Sequence, residues 1–177
     1  MRLGAAIILL LTFVLSDPSD ARIVRTGYQP LEASYWSELS AANANGESVV
    51  VVFTADWCTP CKALKTLIDE SAPVQGVLAK TRILYIDVDE WRGPAHRLIP
   101  GAMPRRLPMI AAVDQAGALK QVAMGTEMGL LSAQAVADNF TNLLSGKPAE
   151  RAAYLDDPEQ KKALMREHAR RQAAARE

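Results

Sequence analysis

The sequence predicts an α/β domain, in which a β-sheet is flanked by helices. Two apolar segments without a polar side, Ser48 to Phe53 and Thr81 to Asp89, are typical of strands buried on both faces of a sheet. An amphipathic pattern from Pro30 to Ala42 precedes the first strand, and another from Thr59 to Glu70 separates the two. This alternation of helices and strands is the observation on which the fold class rests.

The rest of the domain is predicted from breakers and shorter patterns. Val74 to Lys80 is expected to form one short helical turn. Glu90 to Leu107 is expected to be a long irregular loop, because it holds several breakers, namely Gly93, Pro94, Pro100, Gly101 and Pro104. Pro108 opens a third strand, and Ala118 to Met124 returns as its hairpin partner after a tight turn. Leu131 to Ser145 is predicted to be the closing helix.

The first 21 residues have the layout of a secretory signal. Residues 3–15 carry no charge and follow a basic start, and a polar run begins at Ser16. A spanning helix needs about 20 apolar residues, so this run is short for a permanent anchor. Cleavage after Ser16 or Ala21 and retention as an N-terminal membrane anchor both remain open. In either case we expect the domain to be periplasmic or otherwise exported, where disulfides persist.

A domain from 28 to 146 is followed by a charged, alanine-rich tail from 147 to 177. The tail favours a helix from Pro158 onward but has few large apolar residues to bury. A solvated tail and a partner-binding helix are the two interpretations. In the whole chain 20 basic and 20 acidic residues cancel, so no global charge attracts nucleic acid.

Both cysteines of the chain, Cys58 and Cys61, flank two residues at the start of a predicted helix. Unpaired N–H groups and the helix dipole favour a thiolate there, so we expect Cys58 to be the nucleophile. Cys61, one turn later, is expected to be the more buried thiol and to resolve the mixed disulfide. Pro60 falls in the first turn, where a missing N–H costs nothing.

Metal binding is the main alternative use of the two thiols. Two cysteines and two histidines without a common framework do not make a zinc site, which wants four ligands. A Cu(I) site built from Cys58, Cys61 and His96 remains open, because thiolates suit Cu(I). Two buried structural cysteines are the third possibility.

From Pro30 to Ser145 the sequence resembles the thioredoxin superfamily, through WCTPCK, YIDVD and RLPMIAAVDQAG in that order. The resemblance implies the thioredoxin-like fold, with a central mixed β-sheet flanked by helices. It also implies a cis-proline at Pro108 beside the cysteines, and a backbone at Leu107 that pairs with extended substrate segments. Trp57 is expected to cover the site.

Three departures from the family pattern bear on function. Thioredoxins carry a buried acid six residues before the first cysteine, which helps to move a proton, and here Val52 stands there. The central pair is Thr59–Pro60, and in the family a proline before the second cysteine goes with reducing members. The loop before Pro108 is longer than in a minimal thioredoxin, and its polar side chains form either a substrate-facing rim or a merely solvated surface.

The sequence therefore predicts a thiol-disulfide oxidoreductase that reduces protein disulfides outside the cytoplasm, with a role in cell redox homeostasis. Expected partners are protein dithiol or disulfide substrates and another dithiol electron donor, membrane-bound or not, with membrane attachment through residues 3–15 left open. No cofactor is expected beyond the redox-active Cys58–Cys61 disulfide. A copper metallochaperone and a non-catalytic thioredoxin-like interaction module are the alternatives.

Overall fold

The computed structural model describes residues 30–150 and 157–174, so the segment 1–21 lies outside the described residues. The strands are β1 (Ser48–Thr54), β2 (Thr81–Asp87), β3 (Met109–Val113) and β4 (Leu119–Met124). The helices are α1 (Leu31–Ala44), α2 (Thr59–Glu70), α3 (Ala72–Leu78), α4 (Arg92–Leu98), α5 (Gly125–Met128), α6 (Ala133–Leu144) and α7 (Pro158–Ala174).

The four strands form one mixed sheet in the order β2-β1-β3-β4. β1 pairs parallel to β2, and β3 runs antiparallel to both β1 and β4. The register places Phe53 opposite Met109, and Met109 opposite Met124. The end of β1, the start of β3 and the end of β4 therefore lie at the same end of the sheet. The predicted fold class is confirmed.

The core has two layers, one on each face of the sheet. Alternate residues of β1 divide between them, since successive side chains of a strand point to opposite faces. Val49, Val51 and Phe53 pack with α1 and α4, and Val50 and Val52 pack with α2, α3 and α6. All five are buried, which explains why the strand has no polar side.

The predicted loop from Glu90 to Leu107 is wrong in its first half, because α4 forms there. Pro94 lies in the first turn of this helix, where the backbone N–H that proline lacks would have no partner within the helix. Ala95 and Leu98, three residues apart, are buried in the α1 layer. Packing on the sheet thus overrides the glycine and proline content that predicted an irregular segment.

The chain remains in contact with the domain beyond α6. The Asn139 side chain is buried; its Nδ2 donates to the carbonyl oxygens of Glu127 and Glu150, each at 3.0 Å. Its Oδ1 accepts the N–H of Glu150 at 2.6 Å. Residues up to Glu150 are therefore held on α6, while the boundary predicted at 146 stays a prediction.

The helix predicted from Pro158 is confirmed as α7. Among the described residues, no helix is long and apolar enough to cross a membrane.

Tyr35 links α1 to the β3–β4 turn, because its hydroxyl donates to the carbonyl oxygen of Gly117 at 3.2 Å. Burial, and then the negative charge of Asp114, raise the pKa of Tyr35 to about 12. Between pH 10 and 12 the folded protein keeps this proton and the unfolded chain loses it, so stability falls as pH rises. We expect Tyr35→Phe to remove about 2 kcal/mol of that fall.

Urea unfolding of the wild type and of Tyr35→Phe at pH 9 and pH 11.5 measures this difference. At pH 9 the variant should lose about 1 kcal/mol, the contribution of a typical hydrogen bond. An equal loss at both pH values would contradict the expected linkage.

Candidate active site

The two cysteines form a disulfide at the start of α2, with an S–S distance of 2.04 Å. Cys58 is the N-cap of the helix, and its Sγ accepts the backbone N–H of Cys61 at 3.2 Å. Pro60 lies in the first turn, as the sequence predicts. Strand β1 ends four residues before Cys58, so a rigid strand and a helix terminus together fix the position of the sulfurs.

Both cysteines are buried, with 3% of Cys58 and 5% of Cys61 exposed. The two residues are buried to nearly the same extent, and the expectation that Cys61 has the more buried thiol stays a prediction. The strand-to-helix turn places Ala55 against both of them in a small apolar cluster. A client disulfide therefore has to approach the sulfurs past the side chains that surround this cluster.

Leu107 and Pro108, which we call the cis-proline ledge, lie beside the disulfide. The peptide bond between them is cis, as the resemblance implies, and the Leu107 side chain packs on the Cys58–Cys61 cluster. The Pro108 carbonyl oxygen accepts the N–H of Gly125 at 2.7 Å. A Cβ on Gly125 would lie 2.5 Å from Cδ of Pro108, so only glycine fits at this position as it stands.

Trp57 lies on the rim of the site rather than over a closed pocket. It is 68% exposed, and its indole Nε1 donates to the carboxylate of Asp89 at 2.6 Å. Asp89 is held in a turn after β2, in which the Asp87 carboxylate accepts the N–H groups of Asp89 and Glu90 at 2.8 and 3.3 Å. The orientation of Trp57 is therefore set by the end of the neighbouring strand.

The structure brings together the predicted residues Cys58, Cys61 and Leu107, with Pro108 adjoining them. Their catalytic and substrate-binding roles stay predictions. His96 is exposed on α4 and lines a groove together with Arg105. Within the described part of the chain, no three histidine, cysteine or acidic side chains are grouped as a metal site would require.

Two contributors to the site were missed from the sequence, Asp89 and Gly125. Asp89 is the last residue of a predicted strand, a position that commonly faces the end of the sheet. Gly125 directly follows the hairpin strand, where an isolated glycine often marks a close approach of two backbones. Both signals were present, but neither identifies the residue on the other side of the contact.

A cysteine pair at a helix N-terminus, on a mixed sheet and beside a cis-proline, defines a disulfide oxidoreductase. The thioredoxin family model matches residues 30–119, just over half of the chain. The chain therefore belongs to the thioredoxin family. The resemblance predicted from the sequence is confirmed.

Curated relatives agree with this assignment. Thioredoxin H3 of Arabidopsis thaliana is 34% identical over 95 residues, which are 51% of this chain and 70% of that protein. Thioredoxin H2-1 of Oryza sativa subsp. japonica is 37% identical over 70 residues, which are 39% of this chain and 49% of that protein. The chain thus spans about half the length of the second relative.

Among solved structures, a disulphide isomerase from Xylella fastidiosa Temecula1 is similar, with a TM-score of 0.55 and 20% sequence identity. The match covers 68% of this chain and 95% of that one. At this identity the similarity concerns the fold alone.

Proposed function

We propose that this chain reduces disulfide bonds of client proteins outside the cytoplasm. The observation that carries the proposal is the Cys58–Cys61 disulfide at the N-terminus of α2, with Leu107 packed on it. A redox couple needs sulfurs within bonding distance and a surface that presents the substrate disulfide. The cis-proline ledge is the candidate for that surface.

The reaction begins from the reduced dithiol. The Cys58 thiolate, favoured by the helix N-terminus and by the N–H of Cys61, attacks one sulfur of the client disulfide. A Cys58–client disulfide forms, and the other client sulfur leaves as a thiolate that takes a proton from water. Cys61 then loses its proton and attacks Cys58, which releases the second client thiol. Two electrons pass to the client, and the Cys58–Cys61 disulfide observed here is the oxidised product.

A second dithiol protein must return the two electrons, since the chain otherwise stops after one turnover.

Export is supported by the uncharged run at residues 3–15, followed by small and polar residues. The reducing direction is supported by Pro60, because in the family a proline before the second cysteine goes with reducing members.

Cys61→Ser is expected to trap clients as covalent complexes, because the mixed disulfide on Cys58 can no longer be resolved. The full-length variant is expressed with an affinity tag, and the fraction outside the cytoplasm is separated on non-reducing gels. We expect disulfide-linked complexes there that disappear on reduction. Cells lacking the protein should accumulate the same clients in oxidised form if it acts as a reductant.

The matched control is the double variant Cys58→Ser/Cys61→Ser, which should capture nothing. Complexes that persist in this control, or complexes found in the cytoplasm alone, would contradict the proposal. Clients that accumulate in reduced form in the deletion strain would reverse the proposed direction of electron flow.

A further inference from the structure

A groove of about 350 Å³ opens beside the active site, between the segment that leads to the cis-proline ledge and the edge strand β4. We call it the methionine groove; its lining residues are His96, Gly101, Ala102, Met103, Arg105, Met109, Val122 and Met124. Met109 directly follows Pro108 and pairs with Met124, so the groove lies next to the ledge at the same end of the sheet. A polypeptide that contacts Leu107 can therefore also reach this groove.

The chemistry of the groove suits a large apolar side chain. Met103 is 49% exposed and Met124 is half-buried, so both present side-chain surface to the groove, while Met109 is fully buried beneath it. Methionine side chains are unbranched and polarizable, so they adapt to differently shaped apolar partners. The volume is near the lower end of the range of about 300–1,000 Å³ for ligand pockets, which is enough room for one or two side chains.

The rim of the groove is positively charged. Arg105 belongs to the lining, which includes no acidic residue, and Arg106 and Arg97, each next in sequence to a lining residue, are also exposed. A cationic rim attracts acidic segments and raises the rate at which they associate. The complementary ligand is therefore an apolar residue that stands next to an acidic one.

We propose that the methionine groove binds such a segment of the client polypeptide, close in sequence to the cysteine under attack, and thereby selects clients. This proposal rests on the proposed function, because the client disulfide has to reach Cys58 at the ledge. It adds a second, sequence-selective contact to the backbone contact expected at Leu107.

The test uses short disulfide-linked peptide dimers as substrates for the reduced full-length protein. One peptide carries Leu and Glu near its cysteine, a second carries Leu and Lys, and a third carries Ser and Lys. The small aromatic disulfide 5,5′-dithiobis(2-nitrobenzoate) reports the thiol chemistry itself. We expect the Leu-Glu peptide to be reduced about tenfold more efficiently than the Ser-Lys peptide, mainly through a lower KM.

Two variants locate the effect in the groove. Arg105→Glu should reverse the preference between the Leu-Glu and Leu-Lys peptides, by about fivefold in their ratio of kcat/KM. Met103→Ser, at a half-exposed position that tolerates truncation, should reduce the preference for Leu over Ser. Lys80→Glu is the matched control, because this exposed lysine precedes β2 at the opposite edge of the sheet and should leave all ratios unchanged.

The outcomes separate this inference from the proposed function. If neither the small disulfide nor any peptide is reduced, the proposed function fails. If all are reduced with equal efficiency by the wild type, or if Arg105→Glu leaves the Glu/Lys ratio unchanged, the methionine groove is not a client site. Variants that accelerate every peptide alike would show that a segment of this chain or a second copy covers the groove, which also overturns the proposal.

Discussion

Replacing Gly125 by alanine is expected to lower the free energy of unfolding by about 2–3 kcal/mol, the upper part of the usual cost of overpacking. The added methyl group would lie 2.5 Å from Cδ and 2.8 Å from Cγ of Pro108, which is closer than carbon atoms can approach. The Gly125 N–H is also bonded to the Pro108 carbonyl oxygen, so neither partner can move alone. The substitution therefore has to displace the cis-proline ledge.

The same displacement should also impair client reduction by the folded protein. A shift of about 1 Å in a substrate-positioning group can cost up to about 100-fold in rate. We expect at least a tenfold lower kcat/KM for a protein disulfide under conditions in which the variant is fully folded. Urea unfolding and steady-state reduction of a protein disulfide measure the two effects separately.

Gly76→Ala is the matched control for Gly125→Ala. Gly76 lies inside α3, and a Cβ there would meet no atom within 4 Å. Alanine in a helix interior is more favourable than glycine by about 0.5–1 kcal/mol, so this variant should be slightly stabilised and fully active. Full activity of a folded Gly125→Ala protein would show that the ledge does not position the client.

The elements predicted best are those whose pattern is continuous along the chain. α2 spans Thr59 to Glu70 as predicted. It could be predicted because a proline in its first turn and a regular apolar face both lie within the helix itself. α4 was missed because it has only seven residues, two of which are Gly93 and Pro94. Its stability comes from burial of Ala95 and Leu98 under α1, which a local pattern does not report.

The site shows the same division between local and distant information. Cys58 at a helix start could be predicted because strand, motif and helix are adjacent in the sequence. The bond between Trp57 and Asp89 joins residues 32 positions apart, and its partner is fixed only when β1 and β2 pair. The contact of Gly125 with Pro108 likewise depends on the pairing of β3 with β4.

Val52→Asp is expected to cost about 4 kcal/mol of stability at pH 8, because burial can raise a carboxyl pKa by roughly 3–5 units. Val52 is 1% exposed and packs in the apolar layer that α2, α3 and α6 form on the sheet. A charge there loses its hydration in a layer that consists almost entirely of apolar side chains. Valine at this position therefore favours stability, where thioredoxins carry a buried acid.

The direction of the pH dependence distinguishes a buried charge from a simple packing defect. The pKa of the introduced carboxyl is raised in the folded protein, so its protonated form is the stable one. The part of the cost that comes from ionisation is therefore small near pH 4, where only the burial of a neutral polar group remains, and it grows as pH rises toward the folded-state pKa. Val52→Asn introduces a side chain with the shape of aspartate and no charge. Its destabilisation should not change between pH 4 and 8.

Urea unfolding of the two variants across this pH range gives the difference directly. Parallel stability curves for Val52→Asp and Val52→Asn would contradict the prediction that the carboxyl is buried and uncompensated. The resemblance further implies that an acid here accepts a proton during exchange. Where Val52→Asp is folded, release of a Cys58-linked peptide by Cys61 should thus become faster as the new carboxyl ionises, and Val52→Asn should lack this rise. Val52 would then be a residue that gives the native chain a more stable domain and a slower resolving step.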